Sequence, residues 1–182
     1  MNEFLKSDLY RYSGKKSIKS FLDCYRKEAG FRFSVAYRLI NSKGLEKIVG
    51  IFLWVIRNKQ LIQISRHTKI GYGLYISHGG PVVVNPTTII GNNCNLSQFV
   101  TVGSNEAKAA VIGDNVYIGP NCCIVEDVEI GNNVYINKFC EFHTGIGQGG
   151  RIIIEDDCDI AMGVKFICET HEMCNGGGKT SR

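Results

Sequence analysis

The chain has 182 residues, of which 44% are hydrophobic, so it can bury a sizeable core and favours one folded unit over two independent domains. Its net charge of +4 is uneven: residues 1–69 hold 15 Lys/Arg and 5 Asp/Glu, whereas residues 70–182 hold 6 and 12. The basic N-terminal region predicts peripheral contact with an anionic membrane or a phosphorylated acceptor, or else a solvated helical face. We expect no nucleic-acid partner.

The N-terminal third is predicted to be helical. Residues 1–14 are polar and lack the apolar segment of a signal peptide. Residues 17–29, with Ser17 as N-cap, residues 31–41 and residues 45–57 are the predicted helices. The nine-residue apolar run 48–56 is too short to span a bilayer, which indicates a packed or interfacial helix.

From residue 64 onward, an apolar residue recurs at every sixth position. The four runs are Ile64, Ile70, Ile76, Val82; Val84, Ile90, Leu96, Val102; Ile112, Ile118, Ile124, Ile130, Ile136, Phe142; and Ile154, Ile160, Phe166. A period of six is neither helical nor simple strand alternation, and it predicts a solenoid of short stacked parallel strands. A meander of antiparallel strands would need turns at longer spacing.

Turn-forming residues and cysteines follow the same period. The predicted corners are Gly71, Gly91–Asn93, Gly113–Asn115 and Gly131–Asn133, residue types that tolerate positive φ. The inward positions four residues after each apolar residue include Cys94, Cys122, Cys140 and Cys158, where cysteine acts as a small apolar filler. No CxxC pair occurs, so we predict reduced thiols, no structural zinc and a cytoplasmic protein.

The stretch Ile112–Gly119 resembles the hexapeptide repeat of left-handed parallel β-helix acyltransferases, and this resemblance covers roughly residues 60–171. It implies a mainly β fold, a left-handed parallel β-helix of hexapeptide repeats with an N-terminal helical cap, assembled as a homotrimer. The implied organisation is an α-helical segment at 1–60, the acyltransferase domain at 61–175 and a disordered tail at 176–182. Acetyl-CoA is the implied co-substrate, with no metal.

Two N-terminal segments, Asp8–Tyr12 and Gly30–Leu39, resemble segments of serine acetyltransferases. The stretch Ile64–Gly79 is similar to the one in which a His–Gly pair of that family closes a coil corner. The resemblance implies that His78 is the general base, which takes the proton from the acceptor hydroxyl as the hydroxyl attacks the acetyl thioester. The family's orienting Asp is replaced by Gln63, whose amide oxygen we expect to hold a ring N–H.

The acceptor is predicted from departures from that family. The Arg–His pair that grips the serine carboxylate aligns with Lys108–Ala109, so free serine is expected to be a poor acceptor. Gln63 and Val83–Pro86 look more like polysaccharide-type acetyltransferases, which favours a sugar hydroxyl as the acceptor.

The predicted acetyl-CoA contacts are glycine-rich corners. Val100–Gly103 resembles the turn along which the pantetheine arm runs, which implies contacts from Gly103 and Ser104. Gly119 and Pro120 fall at matching corner positions, where glycine lets a ligand approach the backbone.

A second constellation lies downstream. Three segments, Tyr135–Phe142, Arg151–Met162 and Thr170–Glu172, resemble maltose- and galactoside-type sugar acetyltransferases. The resemblance implies Asn137 as the motif asparagine and His171 as an alternative base. His67 and His143 raise the three-histidine zinc site of γ-class carbonic anhydrases, but the close His–x4–His pair of that family is absent.

Three functions remain open. The first is an acetyl-CoA-dependent O-acetyltransferase that modifies a sugar in cell-surface polysaccharide biosynthesis. The second is a serine O-acetyltransferase of cysteine biosynthesis. The third is a truncated, catalytically impaired solenoid that serves as a scaffold, because the fold alone does not decide function.

Overall fold

The computed structural model describes residues 2–57, 61–105, 108–145 and 150–168. Within these ranges, four helices precede a series of short parallel strands. The helices are α1 Glu3–Ser13, α2 Ile18–Lys27, α3 Ala29–Ile40 and α4 Gly44–Ile56.

The strands form three parallel sheets that are the sides of a triangular prism. Sheet A contains β1 Ile62–Ile64, β4 Val82–Val84, β7 Thr101–Gly103, β10 Cys123–Val125, β13 Glu141–Thr144 and β16 Lys165–Cys168. Sheet B contains β2 Lys69–Ile70, β5 Ile89–Ile90, β8 Val111–Ile112, β11 Val128–Ile130 and β14 Ile152–Ile154. Sheet C contains β3 Tyr75–Ile76, β6 Asn95–Leu96, β9 Tyr117–Ile118, β12 Tyr135–Ile136 and β15 Asp159–Ile160.

Successive strands along the chain belong to sheets A, B and C in turn, so each coil contributes one strand to every side of the prism. The most regular coil is 18 residues long, the separation between the stacked Asn115 and Asn133. Other coils take 20, 22 or 24 residues, because more residues separate their strands. The strands still stack in parallel in all three sheets, so the predicted parallel solenoid is confirmed.

Every predicted glycine and asparagine corner lies in one column, between sheets B and C. Asn93, Asn115 and Asn133 adopt positive φ there, as the sequence predicts. Their side chains form a ladder, because Asn93 Nδ2 donates to Asn115 Oδ1 at 3.2 Å and Asn115 Nδ2 donates to Asn133 Oδ1 at 2.9 Å. Asn133 Nδ2 donates in turn to Asp157 Oδ1 at 2.9 Å.

The prism interior is filled by the six-residue repeat. The repeat residues from Ile64 to Phe142 are buried, and Ile154 is 7% exposed at the end of the core. Cys94, Cys122 and Cys140 are buried among them, as predicted. Burial raises the pKa of Cys94 and of Cys122 to about 11. The Cys94 thiol donates to the Gly113 carbonyl at 3.1 Å, so it serves as a packed, weakly polar filler.

Helices α2, α3 and α4 occur where the sequence predicts helices, and Ser17 is the N-cap of α2, accepting a hydrogen bond from Ser20 N–H at 3.1 Å. Helix α1 lies inside the predicted helical segment 1–60 but was not identified as a separate helix, because its apolar stripe is narrow. Leu5 and Leu9 are its buried apolar side chains, and Asn2 caps its first turn.

A buried ion pair joins the helices to the first coil. Arg38 of α3 donates to Asp8 of α1 through Nε at 2.8 Å and through NH2 at 3.1 Å, and both side chains are almost fully buried. Arg38 also donates to the carbonyls of Ile70 and Gly71, at 2.9 and 2.6 Å. Asp8 Oδ1 accepts from Leu74 N–H at 2.9 Å. The helical cap is thereby held to coil backbone by charged hydrogen bonds.

Candidate active site

His78 lies at the corner between sheets C and A, which we call the C–A corner, where β3 leads into β4. Its φ is +57°, and that of the following Gly79 is +55°. Histidine is one of the few residue types that adopt this conformation readily. The imidazole is exposed, whereas Gly79 is buried. The corner therefore presents the ring to solvent on a firmly packed backbone.

The helical cap holds this corner in place. A Cβ atom added at Gly79 would lie 2.4 Å from Cβ of Ala29, at the start of α3. A Cβ atom added at Gly30 would lie 2.3 Å from the Ile76 carbonyl oxygen. Tyr12 of α1 accepts a hydrogen bond from Ile76 N–H at 2.8 Å and lies 3.2 Å from its carbonyl oxygen. Two helices thus contact the strand and turn on either side of the histidine.

Sequence reasoning missed these positioning residues. Tyr12 and Gly30 belong to segments that already resembled serine acetyltransferases, which was the available signal. The close approach of α3 to the corner is a tertiary contact between residues about fifty apart, and no local pattern reports it.

We expect Gly79→Ala to destabilise the fold by about 2 kcal/mol or more. A left-handed conformation costs a non-glycine residue roughly 1–2 kcal/mol, and the added Cβ would also collide with Ala29. Urea unfolding measures the loss. Gly103→Ala is the matched control, because an added Cβ there meets no heavy atom within 4 Å and its φ is not left-handed. Equal stability of the two variants would contradict the close contact.

Later corners stack on the His78 corner. Gln98 lies on the next coil, since a Cβ added at Gly80 would be 2.6 Å from Gln98 Cβ. Asn121 N–H donates to the Gln98 carbonyl at 3.1 Å, so the corner with Gly119 and Pro120 comes on the coil after that. These two predicted cofactor residues therefore share a column with His78, at about 4.8 Å per coil.

Gln98 adds an unexpected acceptor to this column. Its side-chain Oε1 is buried and has no hydrogen-bond partner in the described part of the chain. A buried carbonyl oxygen without a partner is energetically costly, so it is available to a donor that approaches the corner.

Of the second predicted pair, Asn137 and His171, the structure describes only Asn137. Asn137 lies in the same C–A column, one coil beyond Pro120, and its Oδ1 accepts a hydrogen bond from Lys138 N–H at 2.8 Å. This hydrogen bond to the neighbouring residue stabilises the turn in which Asn137 lies. His171 and the predicted tail 176–182 lie outside the described residues.

Gln63, Gly103 and Ser104 lie together at a different corner, between sheets A and B. They line a groove of about 440 Å³ with Asn85 and Asn105. Gln63 points outward from β1 and pairs in register with Val83, and no hydrogen bond joins it to His78. Within this protomer, the structure does not bring the predicted orienting residue to the predicted base.

The turn after Gly103 is organised by a buried carboxylate. Glu126, itself at positive φ, accepts from Ser104 Oγ and from Asn105 N–H, both at 2.7 Å. Lys108, which aligns with the carboxylate-gripping pair, forms a salt bridge with Asp127 at 2.8 Å. Its neighbour Ala109 is buried in the prism. Neither residue of this pair presents an unengaged donor side chain to an acceptor carboxylate.

The remaining histidines do not converge. His67 Nε2 accepts a hydrogen bond from Arg66 Nε at 3.1 Å, at the first A–B corner. His143 lies on β13, opposite Val125. No group of three or more His, Cys, Asp or Glu residues that could hold a metal occurs within residues 2–57, 61–105, 108–145 and 150–168.

Comparison with known proteins bears on this arrangement. Residues 109–144 match the family model described as Bacterial transferase hexapeptide (six repeats). Serine acetyltransferase 1, chloroplastic, of Arabidopsis thaliana is 28% identical over 118 residues, covering 61% of this chain and 38% of its own. Serine acetyltransferase of Staphylococcus aureus (strain Mu50) is 36% identical over 73 residues, covering 38% and 34%. The chain thus spans about a third of the length of these relatives.

The fold is also found among solved structures. Serine acetyltransferase isoform 3 from Entamoeba histolytica, solved in complex with cysteine, superposes with a TM-score of 0.64 at 24% sequence identity. The match covers 99% of this chain and 61% of that one, so it includes the helices as well as the coils. The predicted fold class, a left-handed parallel β-helix with an N-terminal helical cap, is confirmed, as is the resemblance to serine acetyltransferases.

Proposed function

We propose that this chain, a hexapeptide-repeat β-helix, is an acetyl-CoA-dependent O-acetyltransferase whose acceptor is the hydroxyl of serine and whose general base is His78. The observation that carries the proposal is the sequence similarity to serine acetyltransferases, at 28% identity over 61% of the chain. The exposed His78 on a corner packed against two helices supplies the chemistry.

The proposed reaction moves one acetyl group. As the acceptor hydroxyl oxygen attacks the thioester carbonyl, the His78 imidazole takes its proton, and a tetrahedral oxyanion forms. Backbone N–H groups near the corner are the candidate donors to that oxyanion. Collapse of the intermediate breaks the carbon–sulfur bond, and the imidazolium returns the proton to the departing CoA thiolate. The products are the acetyl ester and free CoA.

The identity of the acceptor distinguishes this proposal from the hypothesis of a sugar O-acetyltransferase. The relatives described above are serine acetyltransferases, so they support serine rather than a polysaccharide hydroxyl. Lys108–Ala109 and Gln63 still depart from the family's pattern, so any carboxylate grip must come from other residues. Modification of a sugar hydroxyl by the same base is the second candidate, and it rests on those departures alone.

Release of free thiol from acetyl-CoA tests the proposal directly. The acceptor panel contains free serine, nucleotide sugars and exopolysaccharide fragments, and each is compared with the rate in buffer. We expect serine to give the largest stimulation. Faster turnover with a sugar would move the assignment to the second candidate, and no stimulation by any acceptor would favour a scaffold.

We propose a trimer in which the active site lies between protomers. The predicted residues fall on two corners of one prism: His78, Gly119 and Pro120 on one, and Gln63, Gly103 and Ser104 on the other. Side-by-side packing of three prisms would set the first corner of one protomer against the second corner of its neighbour. Acetyl-CoA would then bind in the cleft between them.

Sedimentation velocity measures the oligomeric state. We expect a species of three times the 20.2 kDa chain mass at micromolar concentration. A monomer at every concentration that still turns over acetyl-CoA would contradict the shared site.

A further inference from the structure

Helix α4 carries an apolar face that the described part of the chain leaves exposed. Seven of its thirteen residues are large apolar side chains with exposed fractions of 44% to 76%: Leu45, Ile48, Val49, Ile51, Phe52, Val55 and Ile56. At 100° per residue they occupy an arc of about 160°, and no charged or polar side chain lies within it. A contiguous exposed apolar surface of this kind marks an interaction site.

The helix cannot turn this face inward. A Cβ added at Gly50 would lie 2.2 Å from the backbone nitrogen of Ile40, so α4 touches the α3 backbone directly. Leu53 and Trp54, on the same side, are partly buried against the two cores. Packing therefore fixes which side of α4 faces solvent.

Cations flank the arc. Lys43 precedes the first turn and Lys47 borders the arc, and both are exposed. Glu46 is the acidic residue of α4, and it lies on the other side, half-buried and 3.5 Å from Asn2 Nδ2. The surface is thus apolar at its centre and positive along the edge that Lys47 borders.

A cavity bordered by two arginines lies at the C-terminal end of α4, on the side that faces α3. Arg57 stacks on Trp54 with its guanidinium carbon 3.6 Å from the ring centroid. Its Nε and NH1 are buried and have no hydrogen-bond partner among the residues that the structure describes. Arg57 and Arg32 line a cavity of about 220 Å³ whose other walls include Phe33, Leu53 and Ile56. Apolar walls beside guanidinium groups suit a ligand that has both an acyl chain and an anion.

We propose that α4 binds the surface of a membrane that contains anionic phospholipids. The apolar arc enters the region between headgroups and acyl chains, and Lys43 and Lys47 face lipid phosphates. The helix has thirteen residues and is about 20 Å long, so it lies along the surface. No helix in the described residues is long and apolar enough to cross a bilayer.

Charge favours lipid over a second copy of the chain. A two-fold interface would place the same patch on both protomers. Parallel packing of the two α4 helices would bring Lys43 and Lys47 of one copy towards those of the other, and antiparallel packing would set them against an arc without an acidic side chain. The arc offers no carboxylate to offset that repulsion. An anionic membrane offers acyl chains to the apolar centre of the patch and phosphates to its lysines.

Vesicle co-sedimentation with the full chain tests the proposal. The probes are vesicles of phosphatidylcholine alone and of phosphatidylcholine mixed equally with phosphatidylglycerol. We expect partitioning onto the anionic vesicles that weakens several-fold between about 0.1 M and 1 M salt. Ile48→Ser/Phe52→Ser should lower partitioning about tenfold or more, because both side chains are exposed and lose only apolar area.

Two further variants separate charge from hydrophobicity. Lys43→Gln/Lys47→Gln should weaken binding to anionic vesicles about tenfold and leave binding to neutral vesicles unchanged. Phe139→Ser is the matched control, since Phe139 is 51% exposed but lies on a solenoid corner, and it should bind like the unaltered chain.

Equal binding of Ile48→Ser/Phe52→Ser and the unaltered chain would overturn the proposal. So would a lack of binding to anionic vesicles, accompanied by a large oligomer that this double variant dissociates, because α4 would then serve self-association. Thiol release with soluble acceptors does not depend on vesicles, so failure here leaves the proposed transferase activity standing.

Discussion

Replacing His78 with alanine should lower the kcat of acetyl transfer about 10²–10⁴-fold, the range expected when a positioned general base is removed. The fold should survive, because the imidazole is exposed and its loss removes no buried contact. The following Gly79, which is buried and also has positive φ, is left unchanged. Circular dichroism and sedimentation verify the fold, and thiol release from acetyl-CoA measures the rate.

Other histidines provide the controls for this experiment. His143→Ala removes a histidine from the outer face of β13, away from the C–A corner, and it should leave kcat within about twofold. His171→Ala tests the second sequence motif. If His171→Ala abolished turnover while His78→Ala did not, the base would belong to the Asn137 motif instead.

Replacing Arg38 with methionine should lower the free energy of unfolding by about 3–5 kcal/mol, because it leaves the Asp8 carboxylate buried without its cation. It also removes donors from the carbonyls of Ile70 and Gly71. Urea unfolding at pH 7.5 measures the loss. The double variant Asp8→Asn/Arg38→Met should lose less, since the asparagine carbonyl can still accept from Leu74 N–H.

The pH dependence of the single variant follows from the same carboxylate. Burial raises the pKa of Asp8, and hydrogen bonds from Arg38 oppose that rise. Without Arg38 the pKa rises further, so the folded chain binds a proton that the unfolded chain releases. Stability is then greatest below the ordinary Asp pKa of about 3.9 and falls as pH rises through the raised value. Arg38→Met should therefore be closer to the unaltered chain at pH 5 than at pH 7.5, and an equal deficit at both would contradict this account.

The coils were predictable because one physical constraint repeats along the chain. Each coil must bury the same apolar positions and turn the same corners, so Ile112, Gly113 and Asn115 reveal their roles by period alone. Helix α1 was missed because two buried leucines among polar residues make a weak local signal. The stability of α1 depends on tertiary contacts with α3, and a local sequence pattern does not reveal such contacts.

The candidate site was predictable only in part. A His–Gly corner can be recognised locally, but the packing of Gly79 on Ala29 requires the tertiary fold. The expected hydrogen bond between Gln63 and His78 is not formed within one protomer: Gln63 is the middle residue of β1, whereas His78 lies on the corner that precedes β4. Alignment gives their spacing along the chain, whereas solenoid geometry decides which corner each one occupies.

The asparagine ladder between sheets B and C gives the prism a direction. Asn93 donates to the next coil, Asn115 and Asn133 each accept from one coil and donate to the next, and the carboxylate of Asp157 can only accept. A shift of the chain by one coil would put a carboxylate where an amide must donate, or would leave an amide facing no acceptor. Nearly identical hexapeptides could otherwise stack in several alignments. The change from amide to carboxylate at Asp157 therefore favours one stacking register of the coils over the others.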